Sequence, residues 1–376
     1  MATHIVVLGA GYAGVVAAKS IAKQPGTRVT LVNASDLFVE RVRMHQVAVG
    51  QPVRQRPIAE LLTGSPVGFV VDRVVALDTE RREVVLAEGA PLVYDTLVYA
   101  LGSRAAHDAV PGAAEHAYPL AVAEDADRLR ARLTAGGSVT VVGGGLTGIE
   151  AAAELAETQP ELKVRLVTGG AFGAALSERG RHHLRRVFAR LGVEVQDHAR
   201  VAEVRADGVL LADGALLPAD TVVWTTGFRV PEIAREAGIA VDDHGRMLVD
   251  ATLRSVSHPD VYAIGDAAAA RRQDGQELRM ACATGLPAAA HVAQSISDRL
   301  AGRTPRPLRF RYVNQCVSLG RRDGLIQFVR DDDSAVERVL TGRVAAWYKE
   351  FVVRGALSAQ RHPGLVKLTP RGRKAA

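Results

Sequence analysis

Two glycine-rich turns, 134 residues apart, predict an α/β fold with two Rossmann-like dinucleotide-binding units in one chain. The first lies in residues 5–22 (IVVLGAGYAGVVAAKSIA) and the second in residues 139–156 (VTVVGGGLTGIEAAAELA). Each reads as a β-branched strand, a glycine turn and an alanine-rich helix, and each is followed by a second strand, at 28–32 and 163–167. One such motif is weak evidence, whereas a repeat of the whole strand–turn–helix–strand unit is strong.

The turn explains its own residues. Gly9 and Gly143 permit the tight exit from the strand, and Gly11 and Gly145, lacking a Cβ, let the backbone approach a pyrophosphate. Gly14 and Gly148 allow the helix to lie close on the strand. The pyrophosphate then sits at the helix N-terminus, where free N–H groups and the macrodipole favour negative charge. Ala13, Leu146 and Thr147, within the same turns, join the expected binding residues.

Residues 67–78, 83–87 and 95–103 read as three strands closing the first unit, and 200–214 and 220–228 do the same for the second. The endings Leu101-Gly102-Ser103 and Thr226-Gly227-Phe228 correspond. An apolar strand at 259–269 then ends in Gly265-Asp266, and from Arg306 onward the pattern is short strands followed by a helix.

A length of 376 residues suggests two or three domains, and 48% apolar against 23% charged residues is the balance of a soluble protein with a large core. The net charge of +6 suits anionic dinucleotides. With 5% aromatic residues and no basic–aromatic module, nucleic acid is not an expected partner. Two cysteines, Cys282 and Cys316, exclude a disulfide framework. Strand-like sequence begins at His4, which argues against a signal peptide, and no run approaches the ~18 apolar residues needed to span a bilayer. A cytoplasmic location is expected, with peripheral attachment to the inner face of the membrane as the variant, and no metal site is expected.

Together the two glycine motifs, 97–103 (LVYALGS), 222–228 (VVWTTGF) and 261–269 (VYAIGDAAA) resemble the two-dinucleotide-binding-domain flavoproteins of the pyridine nucleotide-disulfide oxidoreductase superfamily, and within them the type II NADH dehydrogenase-like group. The resemblance covers essentially the whole chain. It implies a split domain holding non-covalent FAD, at 1–112 and 241–305, an NAD(P) domain inserted at 113–240, and a C-terminal region at 306–376. Besides the first glycine motif, it places Asn33, Arg43, Val74, Ala100, Gly102, Gly265, Asp266, Ala283 and Thr284 at FAD. Besides the second, it places Glu150, Thr168 and Gly227 at NADH or NADPH. It implies hydride transfer from nicotinamide C4 to flavin N5 and onward electron transfer to an acceptor. Glu150 is the candidate for positioning the nicotinamide, beside the blander reading of a charged residue in a helix's first turns.

The chain departs from the pattern in three places. An acid usually ends the second strand and binds the ribose, but Asn33 and Thr168 stand there. Thr168 leaves the choice between NADH and NADPH open, with Arg179, Arg181 and Arg185 as distant phosphate candidates better read as a solvated helix face. The segment 38–50 has no cysteine pair, which speaks against thiol–disulfide chemistry, and Cys282 and Cys316 read as small buried hydrophobes. The glutamine places of quinone-reducing relatives are held by Ala283 and Pro287. Within 38–50, Arg41, Arg43 and His45 are candidates for the pyrophosphate or the acceptor, against a plain surface loop.

Ser334-x-x-Glu337 reads as a capping box opening a helix over about 335–357. Val336, Leu340, Val344, Trp347 and Phe351 form an apolar stripe, with Arg338, Arg343, Lys349 and Arg354 around it. The stripe is expected to pack on the FAD domain or a second copy in a homodimer, with contact to an anionic membrane as the alternative. Residues 367–376 are expected to be disordered. The leading expectation is an NAD(P)H dehydrogenase reducing a quinone or other small acceptor. A flavin reductase serving a carrier protein such as ferredoxin, and an apoptosis-inducing-factor-like redox switch with little turnover, are the alternatives.

Overall fold

The β-branched runs build two five-stranded sheets of one plan in the computed structural model, which describes residues 2–366 except 108 and 135. The first sheet runs Val261–Ala263, Thr96–Tyr99, Thr3–Leu8, Thr27–Asn33, Val67–Val71, all parallel. The second runs Ala117–Pro119, Thr221–Trp224, Ser138–Val142, Lys163–Val167, Glu194–Gln196, again all parallel. In each sheet the strand that feeds the glycine turn is central. Ile5, Val6, Val7 and Leu8 are consecutive and fully buried, so both faces of that strand are covered and its sequence is continuously apolar.

The repeat extends beyond its motifs. Each unit carries a three-stranded antiparallel sheet: Val74–Asp78, Glu83–Leu86 and Leu92–Val93 in the first, and Val201–Arg205, Gly208–Leu211 and Leu216–Pro218 in the second. The stretch 67–78, expected as one strand, is therefore two. Asp72 turns the chain between them by accepting from the amides of Arg73 and Gly89. The first sheet is completed by Val261–Ala263, which follows the whole second sheet in sequence, so the second unit is inserted into the first. Val230, Ala234 and Ile239 already pack in the first unit's core.

Beyond these units, Asn314–Ser318, Gly324–Val329 and Ala335–Thr341 form an antiparallel sheet, and the C-terminal helix spans Gly342–Arg361. Here the structure corrects the sequence reading. Residues 335–341 are a strand, because Val339, Leu340 and Thr341 pair with Gln327, Ile326 and Leu325. The helix begins only at Gly342, whose φ of +74° suits glycine at the corner between strand and helix. Glu337 does cap a helix, but a different one: it accepts from the amides of Glu178 (2.9 Å) and Arg179 (3.1 Å) at the start of Glu178–Leu191. The stretch 367–376 lies outside the described residues.

A Cβ on Gly14 would overlap the carbonyl oxygen of Gly9. Gly14→Ala is therefore expected to destabilise the protein by about 3 kcal/mol or more through overpacking, read as a lowered Tm. A variant that melts together with the wild type would show that helix and strand can separate without cost.

Candidate functional site

At the first glycine turn, small residues bring three chain segments together around an open helix end. A Cβ on Gly9 would collide with the carbonyl of Ala100, and Cβ atoms on Gly265 and on Gly285 would each touch Ala13 at 3.5 Å. Gly11, which precedes the helix Tyr12–Ile21, has nothing within 4 Å of its Cβ position, and neither has Gly102. That open space in front of uncapped helical amides is where a pyrophosphate fits. Asn33 Oδ1 accepts from Ala10 N at 2.9 Å, tying the end of the second strand to the turn and keeping a lone pair for a ribose hydroxyl.

Asp266 lies at the opposite side of this cradle. Ser103 Oγ donates to its carboxylate at 2.7 Å, and Arg41 Nη1 lies 3.5 Å away. Arg41 also donates to Ser103 O and sits 5.2 Å over the Phe228 ring, while its Nη2 is buried without a partner. Burial lowers the guanidinium's pKa, and Asp266 opposes that shift. An unpartnered buried cation donor at this place fits an anionic cofactor. Arg43, expected at the flavin, is turned instead to Glu40, Gln46 and Glu350, with Glu350 at 2.6 Å. Val74 is buried at the start of the antiparallel sheet. Thr284 is buried with its hydroxyl 2.7 Å from the carbonyls of Arg279 and Ala281, holding the loop that leads into the helix Cys282–Leu300, where Ala283 lies in the first turn.

The second turn repeats the geometry. A Cβ on Gly148 would overlap the carbonyl of Gly143, whereas Gly145 has nothing within 4 Å, so the amides beginning at Leu146 and Thr147 face open space. Thr168 is buried at the end of its strand, against Gly144. Gly227 has φ +73° and lies against Ala106.

Glu150, one turn into this helix, is buried where the inserted unit meets the C-terminal sheet and helix. It accepts from Ser318 N at 2.9 Å and pairs with Lys349 Nζ at 2.9 Å. Burial would raise its pKa, but Lys349 and His45 hold it below the usual carboxylate range. Burial would lower that of Lys349, and Glu150 keeps it above the usual lysine value. Sequence reasoning placed Lys349 in a solvated basic rim. The missed signal is its place on the line Ala345, Lys349, Val353, Ala356, Gln360, the buried side of the helix.

One turn further along, Glu154 is fully buried and accepts from Gln51 Nε2. Burial pushes its pKa up to about 7 and that of neighbouring His45 down to about 4. Glu154 Oε2 and His45 Nε2 lie 3.9 Å apart, and each lacks a hydrogen-bond partner. Two glutamates four apart in an alanine-rich buried helix were the legible clue. Burial raises Cys316 to about 11 and Cys282 likewise upward, leaving un-ionised thiols. Among the described residues, no cluster of three or more His, Cys, Asp or Glu could hold a metal ion.

Residues 3–296 match the pyridine nucleotide-disulphide oxidoreductase family. The chain belongs to that family. It is an NAD(P)H-dependent flavoprotein oxidoreductase with FAD as its cofactor. An NADH dehydrogenase-like protein of Mycobacterium tuberculosis is 31% identical over 343 residues, 85% of this chain and 86% of that protein. The demethylphylloquinone reductase of a Synechocystis strain is 25% identical over 347 residues, 86% of each chain. The ferredoxin–NAD(+) reductase component of the biphenyl dioxygenase system of Paraburkholderia xenovorans is 33% identical over 292 residues, 73% of this chain and 70% of that one.

Two substitutions separate the cofactors. Gly11→Ala has room in the fold and an ordinary φ of −73°, but its methyl enters the pyrophosphate space. FAD affinity is expected to fall about tenfold or more, or 1.4 kcal/mol, read from the flavin-to-protein absorbance ratio. Gly145→Ala should raise KM for NAD(P)H by a similar factor with FAD retained. Normal flavin content in the first variant would remove Gly11 from the cofactor site.

Glu150→Gln leaves the half-buried Lys349 without its counter-charge and is expected to cost about 2 kcal/mol near neutral pH. The carboxyl's folded pKa is depressed, so its contribution is present above the unfolded value and lost as pH falls through the folded one. Acid melts should therefore fall more steeply for the wild type than for the variant. Parallel curves would show that the pair contributes nothing.

Proposed function

We propose that this oxidoreductase passes electrons from NAD(P)H to a quinone met at a membrane surface. The two faces of the C-terminal helix carry the reading. One face places Lys349 beside Glu150. The other exposes Val344 (60%), Trp347 (73%) and Phe351 (66%). These side chains were expected to pack on the FAD domain or on a second copy, and they do not pack on the FAD domain. Instead, with the helix starting at Gly342, its inward line is Ala345, Val353, Ala356 and Ala359, which lets it lie close and leaves the large side chains outside. A continuous apolar and aromatic strip flanked by Arg343 and Arg354 is the composition of a helix lying in an anionic lipid interface. No helix among the described residues is long and apolar enough to cross a membrane.

A narrow cleft beside this helix is lined by Val42, Gln46, Ser318, Arg321, Ala346 and Lys349, so Lys349 of the Glu150 pair opens onto it. The bound FAD would take electrons from the nicotinamide and release them to the acceptor. The chain binds the two pyrophosphates at the open amides behind Gly11 and Gly145. Glu150, fixed by Ser318 N and Lys349, is the carboxylate at the nicotinamide end, and Asp266 and Arg41 face FAD. Thr168 supplies a ribose contact with no charge to repel a 2′-phosphate. The name of the Synechocystis relative supports a quinone acceptor, and that of the Paraburkholderia relative supports a second reading, an acidic carrier protein meeting the same arginines.

The test is anaerobic bleaching of the flavin by NADH or NADPH, followed by reoxidation with a lipophilic quinone in anionic vesicles. Trp347→Glu with Phe351→Glu should abolish co-flotation with those vesicles and slow vesicle turnover about tenfold, while sparing a water-soluble acceptor. Reoxidation only by a ferredoxin would select the second reading. Slow bleaching with negligible turnover against every acceptor would point to a redox switch.

A further inference from the structure

The two buried groups that neither cofactor site uses, Glu154 and His45, lie between the protein surface and Glu150. Glu150 and Glu154 are one turn apart on the helix that leaves the second glycine turn, and Thr158 ends the same line at its C-terminus. Gln51 bridges the outer end, donating to Glu154 and lying 3.4 Å from the exposed Thr158 hydroxyl. His45, from the short helix Met44–Ala48, covers the gap between the two glutamates.

We propose that Glu154 and His45 form a proton relay that carries a proton from solvent, at Gln51 and Thr158, to Glu150 and Lys349 beside the acceptor. The proposal rests on the quinone reading, because that acceptor needs the proton. The balance is NAD(P)H + H⁺ + quinone → NAD(P)⁺ + quinol. NAD(P)H supplies two electrons and one hydrogen, and the second hydrogen must come from water. The relay supplies that one. The cleft that Lys349 lines is the acceptor's side, so the buried line of the glycine-turn helix is the route left for a proton from solvent.

The unmatched atoms are the observation that points to a proton path. A buried carboxylate oxygen and a buried imidazole nitrogen facing each other without a partner would each carry a desolvation cost. A proton on Glu154 Oε2 would let a small closure of the 3.9 Å gap make a hydrogen bond to His45 Nε2, relieving both at once. A carboxyl pushed up to about 7 is about half protonated near neutral pH, so it can both take up and release that proton. Glu154 faces Gln51, Arg321, Glu157, Glu150 and His45. His45 faces Glu150 and Glu154, Lys349 from the C-terminal helix, Arg321, and Arg43 of its own segment.

The experiment follows reoxidation of the NAD(P)H-reduced holoprotein by two acceptors: a short-chain quinone, which takes up protons, and ferricyanide, which takes up electrons alone. Glu154→Gln and His45→Gln should each slow quinone reoxidation about tenfold and leave bleaching by NAD(P)H and ferricyanide reoxidation within about twofold. In the wild type the quinone step should slow as pH rises through about 7, the range set by Glu154, and the inflection should vanish in Glu154→Gln. The wild-type step should also show a solvent deuterium effect that the ferricyanide step lacks, a readout that needs no variant to fold. Wild-type quinone rates and an unchanged inflection in Glu154→Gln overturn the relay, as does equal slowing with ferricyanide, which marks a structural role. A wild type that bleaches but is not reoxidised by any quinone overturns the acceptor reading itself, and the relay with it.

Discussion

At both glycine turns the carbonyl oxygen of the turn's first residue occupies the place where a side chain on the helix would begin: Gly9 against Gly14, and Gly143 against Gly148. Helix and strand are therefore in backbone contact, and the helix can lie only one way on its sheet. That single contact decides where the first helical amides point. They open beyond the carboxyl edge of an all-parallel sheet, the crevice where such folds bind nucleotides. The strand feeding each turn is the middle strand, so each crevice lies at the centre of its sheet's carboxyl edge. A split first unit is then a necessity: the strand that completes its sheet, Val261–Ala263, must return past the whole insertion, and it delivers Gly265-Asp266 to the cradle as it ends.

The C-terminal region is held to this frame by charge as well as by packing. Desolvating an ammonium or a carboxylate costs several kcal/mol, and a lone pair rarely recovers it. Here the Glu150–Lys349 pair has additional partners, Ser318 N on the acid and Cys316 O on the base. Both atoms belong to the strand Asn314–Ser318, so the pair fixes three elements at once: the second glycine helix, that strand and the C-terminal helix. At the rim, Arg43 pairs with Glu350 at 2.6 Å, and three arginines hold the Glu350 carboxyl down to about 2 against its burial. The arginine that sequence reasoning placed at the flavin thus serves as a clamp, and its neighbour Arg41 faces Asp266 in its stead.

What was legible in the sequence was whatever the backbone requires. The glycine spacing gave the two units, their central strands and both open helix ends, because only glycine satisfies the contacts there. The C-terminal stretch misled for a physical reason. Over 335–341 the apolar spacing satisfied a helix, and strand pairing with Gly324–Val329 outweighed it. Gly342 was the visible boundary. Lys349 was illegible because a charged residue on one helix is ordinary until another element covers it, and His45 and Glu154, each visible singly, could not be read as neighbours. Their burial comes from partners more than 100 residues away in sequence: Lys349 from Glu150, and Glu154 from His45 and Gln51.

Glu150 and Glu154 are the same residue type on the same helix, one turn apart, and burial drives both pKa values upward. Their partners then separate them. Glu150 has an ammonium at 2.9 Å and a backbone amide, and stays a carboxylate. Among the described residues Glu154 has the neutral Gln51 as its one hydrogen-bond donor, and burial pushes its pKa up to about 7. The outer carboxyl has the higher proton affinity, so at rest the proton sits on Glu154 and Glu150 stays ionised. Inward transfer, on the proposed relay, would follow only when the acceptor withdraws a proton from the Glu150–Lys349 pair. The ammonium that creates this difference belongs to Lys349, and the same helix presents Trp347 and Phe351 outward. One element thus keeps the inner carboxylate ionised and exposes the apolar strip.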